Sequence, residues 1–321
     1  MQREDWRSLS ADLKPDQPHY VGWYAVATSS EVPSDGPIGR PFLNGRVAVY
    51  RRASGEPVVL TSRCPHMGAD LAVGEVVGDD LRCAYHHFRF AQDGRCTSIP
   101  SAGPIPKAAR VHSYPCVERF GLVWAYNGEH PLFGPAEVRD YAEDDLIVAS
   151  RKTNVFGFAP WLTIGNTFDI MHLRHVHGFR FDFDPRGVRY VDDHHIELEY
   201  LFESAELGKF EQRIRVTGTN AVSYVTAADT TTIGLFTSTP IGTSAQTFYV
   251  AGVPKDPGVA PAELTRRLAE QVALGDALLA DDARTLQGID FQVGALVEDD
   301  QAMARYMRWV SAFPTTRAAA R

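Results

Sequence analysis

Cys64-Pro65-His66-Met67-Gly68-Ala69 and Cys83-Ala84-Tyr85-His86 are two short segments, each offering one thiolate and one imidazole. As a pattern they read C-x-H, then the sixteen residues 67–82, then C-x-x-H. Buried cysteines and satisfied histidines with no shared task would rarely fall into two matched pairs. Two such loops can instead close round one small metal centre.

A structural zinc site with two Cys and two His is chemically open, but zinc knuckles usually pair Cys with Cys and His with His. A Rieske [2Fe–2S] cluster holds one iron by two thiolates and the other by two imidazoles. It therefore wants one Cys and one His from each loop, which this spacing offers. The candidate cluster ligands are Cys64, His66, Cys83 and His86.

The segment resembles the Rieske signature of the ring-hydroxylating and related Rieske non-haem iron oxygenases. Its first loop is close to that family's. The family's second loop usually reads C-P-Y-H-G-W, and here it is Cys83-Ala84-Tyr85-His86-His87-Phe88. Every ligand position is kept, and the C-x-x-H spacing selects His86 over His87. His87 stands where the family has glycine, the residue that tolerates positive φ.

A chain of 321 residues can hold two domains of ordinary size or one large one. A formal net charge of −8 argues against nucleic acid or an anionic membrane surface as the main partner. No uninterrupted apolar run is long enough to span a bilayer. The start, Met1-Gln2-Arg3-Glu4-Asp5-Trp6, lacks the basic run and apolar core of an export signal. The expectation is a cytoplasmic protein, unlike the membrane-anchored respiratory Rieske subunits, with Cys96 and Cys116 reduced.

Residues 1–18 read as a polar arm. Over residues 19–130, short strand-like runs at 20–27, 47–52, 57–60, 88–90 and 122–126 alternate with Gly, Pro and Asp turns, which predicts a small antiparallel β domain. Residues 131–321 differ. Alternating runs such as 196–201, 212–216 and 247–250 predict a sheet, and helical patterns cover 262–287 and 300–309. Sheet followed by helices makes the chain α+β. The resemblance implies an N-terminal antiparallel β Rieske domain and a helix-grip-like C-terminal catalytic domain with a central antiparallel sheet.

A second cluster of ligand-type residues lies in Asn166-Thr167-Phe168-Asp169-Ile170-Met171-His172-Leu173-Arg174-His175-Val176-His177-Gly178. An aspartate and three histidines set among apolar residues suit a metal site better than a solvated helix face. Helical periodicity puts Asp169, His172 and His175 on one face, which would pair His172 with His175. The resemblance implies a different pair, because the family motif N-x-x-D-x-x-H-x-x-x-x-H matches Asn166, Asp169, His172 and His177. On a regular helix His172 and His177 splay by ~140°, so the helix has to end or distort between them, and Gly178 supplies a stop signal. His177 is the expected ligand and His175 the alternative.

Two histidines and one carboxylate on a face of Fe(II) leave positions open for O₂ and water. In the family the acid is typically the second of an acidic pair in a helix shortly before the C-terminus. Asp281-Asp282 is such a pair, which points to Asp282, with Asp281 the rival. Neighbouring helical residues diverge by ~100°, so one of the two reaches the metal. The stretch 302–309 also resembles the tail of steroid-hydroxylating members. In the family the motif aspartate joins an iron-ligating histidine to a cluster histidine of the neighbouring subunit, here His172–Asp169–His86.

The resemblance thus implies a homotrimeric terminal oxygenase. Its Rieske cluster passes electrons to a mononuclear Fe(II), where O₂ is activated to hydroxylate or oxidatively demethylate a small hydrophobic substrate. The chain has neither a G-x-G-x-x-G fingerprint nor the four-cysteine plant-type ferredoxin pattern. NAD(P)H oxidation is therefore expected on a separate reductase, with or without a ferredoxin. The alternative is a Rieske ferredoxin-type electron-transfer protein, which leaves Asn166, Asp169, His172, His177 and Asp282 without work. Phe158, Trp161, Phe168 and Met171 fit either a hydrophobic substrate wall or a core.

Overall fold

The computed structural model describes residues 6–204 and 208–316. They divide into two compact units. The first takes residues 14–132 with the short segments 239–242 and 315–316, and the second takes 6–13, 133–238 and 243–314.

The first unit is built from small antiparallel sheets. One runs, in spatial order, β10 (Ser113–Tyr114), β5 (Pro57–Thr61), β4 (Gly45–Arg51), β3 (Ile38–Phe42). A second runs β11 (Cys116–Arg119), β12 (Leu122–Asn127), β2 (Gly22–Thr28). A third, β6 (Glu75–Val77), β7 (Asp80–Arg82), β8 (Arg89–Phe90), β9 (Cys96–Ser98), is a meander carrying the second cysteine loop. A two-residue pairing joins β1 (His19–Tyr20) to β20 (Thr315–Thr316).

Strands β4 and β5 explain why this unit reads as nearly continuous apolar sequence. Val47, Val49 and Val59 point into one core with Tyr24, Phe42 and Val123. Ala48, Tyr50, Val58 and Leu60 point the other way, into a core shared with Cys64, Leu71, Leu81, Cys83 and Phe90. Side chains alternate across a strand, so both faces of this sheet are buried. The second core is what anchors the two cysteines.

The second unit is a seven-stranded antiparallel sheet. Its order is β13 (Leu146–Phe156), β19 (Ser244–Pro254), β18 (Thr231–Ile241), β17 (Ala221–Ala227), β16 (Gly208–Thr217), β15 (His195–Ser204), β14 (Arg189–Tyr190). On β15 and β16 one set of alternate positions is apolar and buried: Ile196, Leu198 and Phe202 face the layer that also holds Phe210, Ile214 and Val216. The other set is charged, with Arg215 2.6 Å from Glu197 and Arg189 2.8 Å from the same carboxylate. Strand β13 escapes a reading by alternation, because Ser150-Arg151-Lys152-Thr153-Asn154 interrupts its apolar ends and its register shifts between Lys152 and Val155.

Helix α3 (Pro261–Leu286) opens with proline in its first turn and lies against β19 and β13. Leu279 of α3 packs with Tyr249 and Ala251, and Leu268 and Val272 border the same core. Between β13 and β14 come two short helices, α1 (Pro160–Gly165) and α2 (Ile170–His175). They are pinned by α4 (Gln301–Ala312): Phe168, wholly buried, stacks on Tyr306 at 4.4 Å, and the Tyr306 hydroxyl donates to the Trp161 carbonyl at 3.0 Å. Burying a phenylalanine in this way stabilises by about 2–3 kcal/mol. Ala11 and Leu13, from the N-terminal stretch, are buried in this unit, and the Ala11 carbonyl accepts from the Ala159 amide.

Candidate metal centres

The two cysteine loops share one backbone frame. In the first, the Cys64 amide donates to Ala69 O (2.9 Å) and the Gly68 amide to Cys64 O (2.8 Å). In the second, the Cys83 amide donates to Phe88 O (2.9 Å) and the His87 amide to Cys83 O (3.0 Å). Each loop therefore closes through the same pair of bonds, counted four and five residues from its cysteine. The frame requires a left-handed residue at the fourth position, and Gly68 takes it at φ +76°. His87 takes it at φ +57°, so the histidine adopts the conformation that glycine would have eased.

Both cysteines are buried, at 3% and 1% exposure, whereas His66 is exposed and His86 half-buried. The two imidazoles lie side by side, ring centres 4.6 Å apart, and His66 stacks on Phe88. Burial raises the Cys64 thiol above its ordinary value, with the neighbouring Cys83 acting in the same direction. A thiol in that state is ionised by binding metal rather than by neutral pH. An inner thiolate pair and an outer imidazole pair suit a two-iron cluster with one pair on each iron. Cys96 and Cys116 are free thiols outside the loops.

The second constellation is set by how α2 begins and ends. Asp169 is its N-cap: Oδ1 accepts from the His172 amide at 2.8 Å. The helix stops at His175, Gly178 takes φ +67°, and the Phe179 amide reaches back to Leu173 O at 3.1 Å. The chain thus folds back on the last turn of the helix through a left-handed glycine, a common way for a helix to end. The reversal carries His177 back alongside the helix, so that its Nε2 stands 3.1 Å from Nε2 of His172. Asp282, on α3, completes the group, with Oδ1 3.0 Å from His172 and 3.2 Å from His177.

Three donor atoms thus form a nearly equilateral triangle. Metal bonds of about 2.1 Å at right angles place neighbouring donors about 3.0 Å apart, so the triangle fits one face of an octahedral ion. Among the described residues this is the group of His, Cys, Asp or Glu donors that meets within 4.8 Å. Burial works to raise the Asp282 carboxyl, but hydrogen bonding and charge from the two imidazoles outweigh it and hold the group below its ordinary value. His175 is exposed on α2 and stands outside the triangle. Asp281 is also outside it, with 45% of its side chain exposed and Arg284 at 3.6 Å.

A cavity of about 340 Å³ opens beside the triangle, and His172, His177 and Asp282 line it. Its floor is one face of the sheet: Phe210 and Gln212 on β16, Val222, Tyr224 and Thr226 on β17, Gly234 and Phe236 on β18. Its roof is one face of α3, with Gln271, Leu274, Gly275, Leu278 and Asp282 recurring at helical spacing. Asn166 lines it as well, its buried Nδ2 without a hydrogen-bond partner. The Thr167 and Tyr224 hydroxyls bond at 2.8 Å, and burial raises the Tyr224 phenol.

Of the two readings left open for the apolar residues near the motif, the substrate wall fails. Phe158, Trp161 and Phe168 are core residues, Met171 is 41% exposed, and none of the four lines the cavity. Alternation along β16 and β17 was the available signal for the true floor, but it marks a face without saying whether a cavity or a core covers it.

Residues 22–115 match the Rieske [2Fe-2S] domain family. This part of the chain is a Rieske domain. Its description supplies the [2Fe–2S] cofactor, and the match encloses both cysteine loops. The likeness to oxygenase components extends further. The toluene-4-sulfonate monooxygenase system iron-sulfur subunit TsaM1 of Comamonas testosteroni is 36% identical over 157 residues, 48% of this chain and 45% of that protein. The oxygenase component of 3-ketosteroid-9-alpha-monooxygenase of Rhodococcus rhodochrous is 29% identical over 186 residues, 56% of this chain and 48% of that protein. The chain spans less than half the length of the curated relatives it matches.

In three dimensions the chain resembles dicamba monooxygenase bound to dicamba, with a TM-score of 0.70 at 23% identity over 90% of this chain and 95% of that one. Pseudomonas putida CBB5 NdmB gives 0.71 at 20% identity, covering 90% and 89%. The α+β fold, with a β-rich Rieske domain and a C-terminal antiparallel sheet, is the one those structures share. Another structure with this fold is that of dicamba monooxygenase with non-heme iron and dicamba, 22% identical. Among the described residues no helix is long and apolar enough to cross a membrane.

Proposed function

We propose that this chain is a terminal oxygenase. Cys64, His66, Cys83 and His86 hold the cluster, and His172, His177 and Asp282 hold mononuclear Fe(II). Bound there, the cluster would supply electrons singly and the ferrous ion would activate O₂ for hydroxylation or oxidative demethylation of a small organic substrate. The observation that carries this reading is the donor triangle, whose three residues line a cavity large enough for a small substrate.

The protein's own contribution is placement. The N-cap at Asp169 and the glycine turn at 178 orient both imidazoles before any ion arrives. The sheet floor and the α3 roof exclude bulk water from the reacting face, and Asn166 offers an uncommitted amide there. Asp169 commits one oxygen to its cap, and in this reading the other accepts from an imidazole of a second copy. A carboxylate in that position orients a ligand histidine and strengthens it as a donor. The working form in this reading is a cytoplasmic homotrimer supplied with electrons by a separate reductase, with or without a ferredoxin.

Iron counting on anaerobically purified protein tests the proposal. Three irons per chain are expected, with a rhombic EPR signal of average g near ~1.9 after reduction. Asp282→Ala should leave two irons and the same signal. Two irons in the unsubstituted protein would reduce it to an electron carrier.

A further inference from the structure

The cavity wall contains no cation of its own. Neither lysine nor arginine lines it among the described residues, and the carboxylates of Asp281 and Asp282 do. Arg151 packs over the Tyr249 ring at 5.1 Å but stays outside the cavity, bound to Asp276 at 2.5 Å and to the Val272 carbonyl at 3.1 Å. Besides Thr163, Asn166 and the bonded Thr167–Tyr224 pair, the neutral polar groups fall into two sets. Tyr249 and Gln271 satisfy each other, the phenol donating to the Gln271 carbonyl and accepting from its side-chain amide, both at 3.2 Å. Gln212 and Thr226 are direct cross-strand partners and bond at 3.1 Å through one end of the Gln212 amide. The other end makes no hydrogen bond with any described residue.

An anion entering this space would lose its water and meet no counter-charge on the wall, which disfavours its binding. In the proposed site the ion's surplus positive charge lies where O₂ has to bind, so an anion attracted there would block the reaction. Size sets a second limit. A cavity of about 150 Å³ admits benzene, and this one is roughly twice that.

We infer that the cavity takes a neutral molecule of about two fused rings, oriented by an amide N–H that donates to the free Oε1 of Gln212, and that it rejects carboxylates and sulfonates. The inference rests on the oxygenase reading and narrows its substrate class. It separates this chain from relatives whose names carry the anions toluene-4-sulfonate and 3-chlorobenzoate.

The test is calorimetric binding to the iron-loaded protein without O₂ at neutral pH, using 2-naphthamide, 2-naphthoate and naphthalene as probes. Naphthamide should bind at least about tenfold more tightly than naphthoate, the scale of one unpaired buried group. Gln212→Leu should bring naphthamide down to the affinity of naphthalene, and Gln212→Lys should make naphthoate the better ligand. Naphthoate binding as tightly as naphthamide, an unchanged naphthamide affinity in Gln212→Leu, or no binding of any probe would each overturn the inference. Iron is counted on the same sample. A count of two irons refutes the oxygenase reading, whereas three irons with a preference for naphthoate refutes this inference alone.

Discussion

Gly275→Ala tests whether the backbone of α3 sets the position of Asp282. A methyl group at Gly275 would stand 2.5 Å from the Tyr249 hydroxyl and nearer still to its ring. Ordinary contact begins near 3.4 Å, so at least about 0.9 Å of relief is needed. The tyrosine cannot supply it. Its hydroxyl is tied both ways to Gln271, its ring stacks on Phe236 at 4.6 Å, Arg151 covers it, and it is 1% exposed. The helix must yield instead, and Asp282 lies seven residues on, about two turns along the same face. A site of this kind tolerates about 0.5 Å of misplacement.

Overpacking costs about 1–3 kcal/mol, and replacing glycine by alanine inside a helix returns about 1 kcal/mol. The melting point should therefore move by only a few degrees, while the mononuclear iron is lost. Iron per chain should fall from three toward two with the cluster EPR unchanged, and adding Tyr249→Leu should restore the third iron. Full iron content in Gly275→Ala would refute the reasoning, because Asp282 would then be placed independently of α3's seating on Tyr249.

Three further predictions follow from other parts of the chain. Asp169→Asn keeps an N-cap and Asp169→Ala loses it, so only the alanine variant should lose about 1 kcal/mol of stability. Both should keep three irons and lose turnover by at least about tenfold, the lower range for removing a ligand's hydrogen-bond partner; near-normal turnover in Asp169→Asn would end the relay role. His87→Gly relieves about 1–2 kcal/mol of left-handed strain and gives back about 0.5–1 kcal/mol in chain entropy. The temperature at which the cluster colour bleaches should rise, and a fall would contradict the loop geometry.

Glu118 is the pH-dependent case. Burial pushes its carboxyl up, but Arg51 at 2.6 Å and the Ser29 hydroxyl bring it below the ordinary 4.5. A depressed carboxyl stabilises fully above its unfolded value and stops doing so as pH falls through the folded one. The stability gap between the parent and Glu118→Gln, about 1 kcal/mol for a pair so close to solvent, should persist at neutrality and close below pH 4.5. Parallel urea titrations would show a constant gap if this pairing were irrelevant.

The cluster loops were legible because their chemistry is local: ligand type and spacing within a few residues suffice, and the Rieske domain match encloses them. Helix α3 was legible because proline opens it and its apolar period runs for many turns. The second constellation was harder. Helical period alone favours His175, and what places His177 instead is a glycine turn and a reversal at 178. Asp282 could be singled out only by likeness, since nothing local separates it from Asp281; the difference lies in which side of α3 rests on β19. Strand β13 went unread because polar residues and a bulge break its alternation. The cavity went unread because a strand face lining a void has the same pattern as one lining a core.

The triangle also bears on when iron can be acquired. Its corners come from α2, from the turn just after it and from α3, with strands β14 to β19 between that turn and α3. Gathering groups about a hundred residues apart from an open chain costs roughly 4 kcal/mol in loop closure alone, and the finished sheet has already met that cost. On the proposed reading, iron uptake would be a late event that certifies assembly: a nascent, truncated or mispaired chain lacks the third corner and would not hold a ferrous ion tightly, which would keep O₂ chemistry away from proteins that have nothing to enclose it.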